Sequence, residues 1–135
     1  LRPGALEGRT LKDALEKMIR EYQTLSKLQV DLHYEWVDVD MDVMIEDTIF
    51  RVIQESMTNA VRHGHASRMI LHFFEDEEDY LIELQDNGVG FETLTYGYGL
   101  KQMMERISIL GGQLQFESRD GFFTRISLPK YKEGR

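Results

Sequence analysis

The spacing of hydrophobic positions changes several times along the chain, and each change predicts a new element. Before residue 10, Pro3, Gly4 and Gly8 interrupt any periodic pattern. Thr10 can then cap a helix over about residues 11–27, where apolar residues three and four positions apart form one stripe. The stripe consists of Leu11, Ala14, Leu15, Met18, Ile19, Tyr22 and Leu25.

A two-residue alternation follows, which predicts a strand with one buried face. Its apolar positions are Val30, Leu32, Tyr34 and Trp36, and its polar positions are Asp31, His33 and Glu35. Helical spacing returns from about Asp42 to His63, with acidic residues at the start that favour the helix dipole. We expect this second helix to stop near Gly64.

The second half of the chain predicts four more strands and a third helix. The strands are Met69–Phe74, Tyr80–Leu84, Gln113–Glu117 and Phe122–Leu128, and the helix runs from Leu100 to Leu110. The first two of these strands are joined by the acidic turn Glu75–Asp79, which indicates a hairpin. The order αβα, ββ, α, ββ therefore predicts a two-layer α/β sandwich, in which one mixed five-stranded sheet carries three helices on one face.

Composition narrows the class of protein. The 135 residues are 41% hydrophobic and 30% charged, which is typical of one globular domain. There is no cysteine, which excludes disulfides and thiolate metal sites and fits a cytoplasmic location. The net charge of −8 disfavours nucleic-acid binding. No apolar run approaches the roughly 18 residues of a membrane helix, so we do not expect this stretch to lie in a membrane.

The second helix carries a polar stripe beside its apolar one. Glu55, Asn59, Arg62 and His63 lie within an arc of roughly 100°. An asparagine oxygen can bind Mg²⁺, and the two basic side chains can bind phosphates. The alternative is an ordinary solvated helix face with surface pairs.

Two glycine-containing segments are the other candidates for chemistry. In the segment Asp86-Asn87-Gly88-Val89-Gly90-Phe91, Asp86 can accept a hydrogen bond from an exocyclic amine such as that of adenine. The alternative is a simple Asn-Gly hairpin turn, although residues 91–99 show no returning strand alternation.

The second segment, Gly97-Tyr98-Gly99-Leu100, precedes the third helix. It can present backbone N–H groups to an anion, or it can be only a flexible linker. It is not a dinucleotide fingerprint, because Gln102 stands at the third glycine position, and the chain has no P-loop motif.

The order of the three segments resembles the N, G1 and G2 boxes of the GHKL superfamily of ATP-binding domains (histidine kinases, gyrase, mismatch-repair proteins and chaperones). The match covers about residues 42–129, and the final strand, Gly121–Pro129, resembles the Gly-x-x-Thr strand that ends in Leu-Pro in sensor kinases. Leu1-Arg2-Pro3, Asn59–His63 and Gly97–Arg106 resemble the NarX/DesK-type kinases, a group that includes VraS- and LiaS-like sensors. The resemblance implies the Bergerat ATP-binding fold.

The resemblance also implies a role for each candidate residue. Near the phosphates it implies Asn59 as the Mg²⁺ ligand, Glu55 beside the metal, and Arg62 and His63 as phosphate neighbours. Around the base it implies Asp86 as the acceptor of the adenine amine, Gly88 and Gly90 as residues that shape the pocket, and Thr124 as a supporting hydroxyl. Gly97, Gly99 and Leu100 would flank a lid over the triphosphate.

Two positions depart from the family pattern. Gln102 stands where Gly is more usual, and Arg62 stands where Lys is more usual.

The implied organisation is a linker remnant at 1–10, an ATP-binding catalytic domain at 11–129 and a polar tail at 130–135. Such a domain presents the γ-phosphate of Mg·ATP to a histidine on a separate dimerisation domain of the same parent chain. A response regulator with a helix-turn-helix output domain then receives the phosphoryl group. The parent is expected to be anchored in the membrane. None of the four histidines, His33, His63, His65 and His72, lies in a helix like that of the phosphoacceptor.

Two alternatives remain at this point. One is another GHKL ATPase, such as an anti-sigma serine kinase or a gyrase-type machine. The other is a degenerate domain that binds no nucleotide and serves as a scaffold.

Overall fold

The computed structural model describes residues 4–90 and 99–130, and its elements follow the predicted order. The helices are α1 (Leu11–Leu25), α2 (Val43–Arg62) and α3 (Leu100–Ile109). The strands are β1 (Gln29–Tyr34), β2 (Arg68–Glu75), β3 (Asp79–Asp86), β4 (Gln113–Ser118) and β5 (Phe122–Pro129). None of the described helices is both long and apolar enough to cross a bilayer.

All five strands form one sheet in the order β1-β2-β3-β5-β4. The β1–β2 pair is parallel, and α2 makes the crossover that a parallel connection needs. The other three pairs are antiparallel, and β5 lies between β3 and β4. The predicted mixed sheet and α/β sandwich are therefore confirmed.

The register of the strands decides which residues face the helices. Leu71 on β2 lies opposite Leu84 on β3, which lies opposite Thr124 on β5, and all three are buried. The next inward position on β3 is Asp86, opposite Met69. Two polar residues, Asp86 and Thr124, thus occupy the buried face of the sheet at one end.

Capping residues mark the start of the helices. The Thr10 side chain accepts a hydrogen bond from the Asp13 amide at 3.1 Å, and the Asp42 carboxylate accepts one from the Met44 amide at 2.7 Å. The first helix ends at Leu25, two residues before its predicted end, because the Ser26 backbone is extended. α3 has no side-chain cap and begins after Gly99, whose φ of 78° is left-handed.

Trp36 follows β1, which ends at Tyr34, two residues before the end of the predicted alternation. The indole is 6% exposed and packs edge-on against Phe73, with ring centroids 4.9 Å apart. Its Nε1–H donates to the carbonyl oxygen of Phe74 at 2.6 Å. This hydrogen bond attaches the loop after β1 to the neighbouring strand.

We expect Trp36→Phe to lower the free energy of unfolding by about 1–3 kcal/mol, because the Phe74 carbonyl loses its donor and the smaller ring leaves a void. Urea unfolding followed by circular dichroism measures this change. The control is Val37→Ala, since Val37 is 73% exposed and should change stability by less than about 0.5 kcal/mol. Equal unfolding midpoints for Trp36→Phe and the wild type would contradict the assignment.

Candidate functional site

A cavity of about 140 Å³ lies between α2, α3 and the inward face of the sheet. Its polar lining comes from Ser56, Asn59, His63, Asp86 and Thr124. The rest of the lining is apolar or glycine: Ala60, Gly64, Met69, Leu84, Val89, Gly90, Leu100, Met103, Phe116 and Phe122. A mostly apolar recess with a few convergent polar groups is typical of a small-molecule site.

Asp86 is the buried charged group of this cavity, with 6% of its surface exposed. Its Oδ1 accepts two backbone hydrogen bonds, from the Gly88 amide at 2.8 Å and from the Phe122 amide at 3.0 Å. Among the described residues, no donor binds the other oxygen, Oδ2. The carboxylate is therefore oriented by the backbone and keeps one acceptor available for a ligand that donates a hydrogen bond.

Thr124 brings a second polar group to the same wall. It is 3% exposed and lies on β5 opposite Leu84, two positions before Asp86 along β3. A threonine hydroxyl can both donate and accept, so it suits a ligand edge that carries a donor beside an acceptor, as a purine does.

The polar stripe of α2 divides between the cavity and the surface. Asn59 and His63 line the cavity, with the buried Ala60 between them. Arg62 is exposed and does not line the cavity, because it lies off the side of α2 that faces it. Glu55 also lies outside the lining; its carboxylate rests against Gly99, where an added Cβ would lie 2.6 Å from Oε1.

The backbone of the segment after β3 packs against the backbone of the turn after α2, at Gly64. A Cβ on Gly88 would lie 2.5 Å from the Gly64 carbonyl oxygen, and that oxygen accepts a hydrogen bond from the Val89 amide at 2.9 Å. Gly90 has a φ of 65°, and a Cβ there would lie 2.5 Å from Ser118 Oγ. The Asn87-Gly88 pair does not form a hairpin turn to a following strand, since β3 pairs with β2 and β5.

The third candidate segment is described only in part. Leu100 is 1% exposed and lines the cavity, while Gly99 begins α3 beside Glu55. Gly97 lies outside the described residues.

Several residues of the site were not predicted from the sequence. The apolar lining by Phe116, Phe122 and Met103 reads in sequence as ordinary core. The backbone amide of Phe122 cannot be recognised from the sequence, since every residue except proline has a backbone N–H group. Gly121 precedes it, and a Cβ there would lie 2.0 Å from the Asp86 carbonyl oxygen. The glycine directly before the last strand is the one sequence feature that could have pointed to this contact.

The available metal donors are few. Within residues 4–90 and 99–130, no group of three or more His, Asp or Glu side chains can hold a metal ion. Magnesium commonly uses one or two protein oxygens and takes the rest from substrate phosphates and water. Asn59 at the cavity and Glu55 nearby therefore fit a cation that arrives with a nucleotide.

Known proteins resemble this chain in sequence. A family model described as "Histidine kinase-, DNA gyrase B-, and HSP90-like ATPase" matches residues 44–132. The Bacillus subtilis sensor histidine kinase LiaS is 32% identical over 131 residues, which cover 95% of this chain and 36% of that protein. The UhpB histidine-protein kinase/phosphatase of Salmonella typhimurium is 34% identical over 135 residues, 96% of this chain and 27% of that protein. The chain thus spans about a third of the length of the curated relatives it matches.

Solved structures with the same fold include a histidine kinase and an ATP-binding domain. Histidine kinase AdeS of Acinetobacter baumannii superposes with a TM-score of 0.76 at 21% identity, over 90% of this chain and 65% of that one. The ATP-binding domain of PrrB from Mycobacterium tuberculosis superposes with a TM-score of 0.69 at 20% identity, over 89% and 93% of the two chains. Because these structures are only 20–21% identical to this chain, the similarity shows a shared fold and nothing more.

The resemblance seen in the sequence is confirmed, because the matched relatives include LiaS and the VraS sensor of Staphylococcus epidermidis, which is 31% identical over 131 residues. The family model extends from the first turn of α2 past the end of β5, and so includes every described residue that lines the cavity. The chain therefore belongs to the family of histidine kinase-, DNA gyrase B- and HSP90-like ATPases.

Proposed function

We propose that this chain is the ATP-binding catalytic part of a sensor histidine kinase of the VraS and LiaS type. The observation that carries the proposal is that Asn59 on α2 and Asp86 at the end of β3 line one cavity, although 27 residues separate them in sequence. The relatives that match almost the whole chain are sensor kinases, and they support this function over that of the other ATPases in the family.

The base of the nucleotide would occupy the buried end of the cavity. There Asp86 Oδ2 would accept the adenine amine, and the Thr124 hydroxyl would bind the neighbouring edge of the ring. The backbone packing of two glycines supports this assignment: Gly90 lines the cavity, and Gly88 does not line it but packs against Gly64, which does. A buried acceptor of this kind selects strongly for a ligand that carries the matching donor.

The phosphates would lie towards α2 and the start of α3. Asn59 would bind Mg²⁺ together with the phosphate oxygens, with Glu55 beside it, while His63 and the more exposed Arg62 would neutralise phosphate charge. Gly97, Gly99 and Leu100 would flank the lid. Magnesium would neutralise the charge on the phosphates, and the protein groups would hold the γ-phosphate in line for transfer.

The phosphoryl acceptor would be a histidine on a dimerisation domain of the same parent chain. A response regulator with a helix-turn-helix output domain would take the group from that histidine. We place the domain in the cytoplasm, where ATP is available, as part of a membrane-anchored parent. Residues 1–10 would join it to the dimerisation domain, residues 11–129 would form the catalytic domain, and 130–135 would be a polar tail.

Asp86→Asn should weaken Mg·ADP binding by about 10- to 100-fold. The asparagine oxygen can still accept from the Gly88 and Phe122 amides, but an NH₂ group then faces the adenine amine in place of Oδ2. Calorimetric titration measures the loss. Asp38→Asn is the matched control, since Asp38 is exposed and its φ of 50° is readily adopted by asparagine. Equal affinity in Asp86→Asn and the wild type would exclude this mode of adenine recognition.

Asn59→Ala should remove the dependence of nucleotide affinity on magnesium. We expect the wild type to bind ADP more tightly with Mg²⁺ than with a chelator, and the variant to bind equally weakly in both. Gln54→Ala on the exposed side of α2 is the control and should retain the wild-type response. A variant that still gains affinity from Mg²⁺ would show that Asn59 is not the ligand.

Alone, the chain should bind ATP with little turnover. Joined to the rest of LiaS in place of the matching region, it should support phosphorylation of that kinase's histidine, and Asn59→Ala should abolish it. Transfer of γ-labelled phosphate followed on gels measures both. Rapid hydrolysis by the isolated chain would favour a gyrase-type ATPase, and absence of nucleotide binding would favour a scaffold.

A further inference from the structure

Gln85 lies beside the adenine-binding carboxylate in sequence but on the opposite face of the sheet. Asp86 and Leu84 point to the helices, whereas Gln85 belongs to the outward row with Ile70 on β2 and Phe123 on β5. The side chain of Gln85 is thus separated from the cavity by the sheet and is not part of its lining. It has two hydrogen bonds all the same: Nε2 donates to the Asp86 carbonyl oxygen at 2.7 Å and to the Arg119 carbonyl oxygen at 3.0 Å.

We propose that Gln85 is a positioning residue, which holds the β4–β5 turn against the end of β3 and thereby sets the orientation of the Asp86 carboxylate for adenine. The inference rests on the proposed function, because it concerns the recognition of the exocyclic amine. It adds a residue on the far side of the sheet to the specificity of the pocket.

The β4–β5 turn, residues 119–121, packs directly against the backbone of Asp86. The Arg119 amide donates to the Gly121 carbonyl oxygen at 2.9 Å, which closes the turn. A Cβ on Gly121 would lie only 2.0 Å from the Asp86 carbonyl oxygen, so the two backbones are in contact. Gln85 bridges this contact, because its amide group binds a carbonyl on each side.

The position of the turn controls the carboxylate through the next residue. Phe122 follows Gly121, and its amide donates to Asp86 Oδ1 at 3.0 Å. The second donor to Oδ1 is the amide of Gly88, which belongs to the segment after β3. Without the Gln85 amide group, the turn can move away from β3 and take the Phe122 donor with it. The carboxylate would then be held by one donor and could rotate, which weakens the hydrogen bond that Oδ2 makes to a ligand.

The test compares two nucleotides that differ only in the group that Asp86 would bind. ADP carries the 6-amino group, and the diphosphate of purine riboside lacks it. For the whole chain with Mg²⁺, Gln85→Met should lower ADP affinity about three- to ten-fold, the effect of one hydrogen bond, and leave the affinity for the second nucleotide nearly unchanged. Gln85→Glu, which keeps the shape but has no N–H donor, should show the same loss of preference.

Gln115→Met is the matched control, because Gln115 is an exposed glutamine on the same outward face, opposite Arg125 on β5. It should keep the wild-type ratio of the two affinities. Thermal unfolding of each variant shows whether the protein is folded at the temperature of the titration. A merely structural effect of Gln85 would lower both affinities by the same factor.

The outcomes separate this inference from the proposed function. Where the wild type prefers ADP but Gln85→Met keeps that preference, or weakens both nucleotides equally, Gln85 does not position the carboxylate and only this inference is overturned. Where the wild type binds neither nucleotide, the proposed function fails and the inference fails with it.

Discussion

A carboxylate inside a protein must be held by hydrogen bonds, and the way Asp86 meets this requirement organises the functional end of the molecule. Its Oδ1 takes amides from two segments, the one that follows β3 and the one that begins β5. These segments pack closely because two glycines have no Cβ: Gly121 contacts the backbone of Asp86, and Gly88 contacts the backbone of Gly64. The same contacts that satisfy the buried charge therefore also fix the wall of the cavity. The burial of the Asp86 charge and the adenine recognition proposed for it depend on the same two backbone donors.

Helix α2 joins the core to the site. Its buried stripe, which includes Ile53, Met57 and Ala60, packs on the sheet, and one step around the helix Asn59 and His63 reach the cavity. A rigid helix places these polar groups more accurately than a loop does, because its own packing fixes its rotation. Its end at Arg62 also leaves the Gly64 carbonyl for the Val89 amide, so the helix supports the segment after β3.

The net negative charge of the chain opposes the binding of an anionic ligand. The net charge is −8, and Asp86 adds a carboxylate to the cavity itself. Phosphates can bind against this field only where donors and cations are concentrated locally, since Coulomb attraction between exposed charges is screened within about 10 Å. Asn59 and His63 reach the cavity from α2, and Asp86 and Thr124 reach it from the sheet. The polar groups of the cavity are therefore supplied by both of its layers, the helix and the sheet.

The sequence by itself determined the elements, because periods of 3.6 and 2 residues reveal which face of each segment is buried. The predicted boundaries differ from the observed ones by at most two residues. It also determined the family, since the Asn59, Asp86 and Gly99 segments stand in a characteristic order. The tertiary structure decided that β5 lies between β3 and β4, and that Asn59 and His63 line the cavity while Arg62 does not. It alone brought the Phe122 amide and the β4–β5 turn to Asp86, 36 residues away. Strand order and backbone donors leave no periodic signal in a sequence, because any non-proline residue has the same amide and only long-range packing decides which one meets the carboxylate.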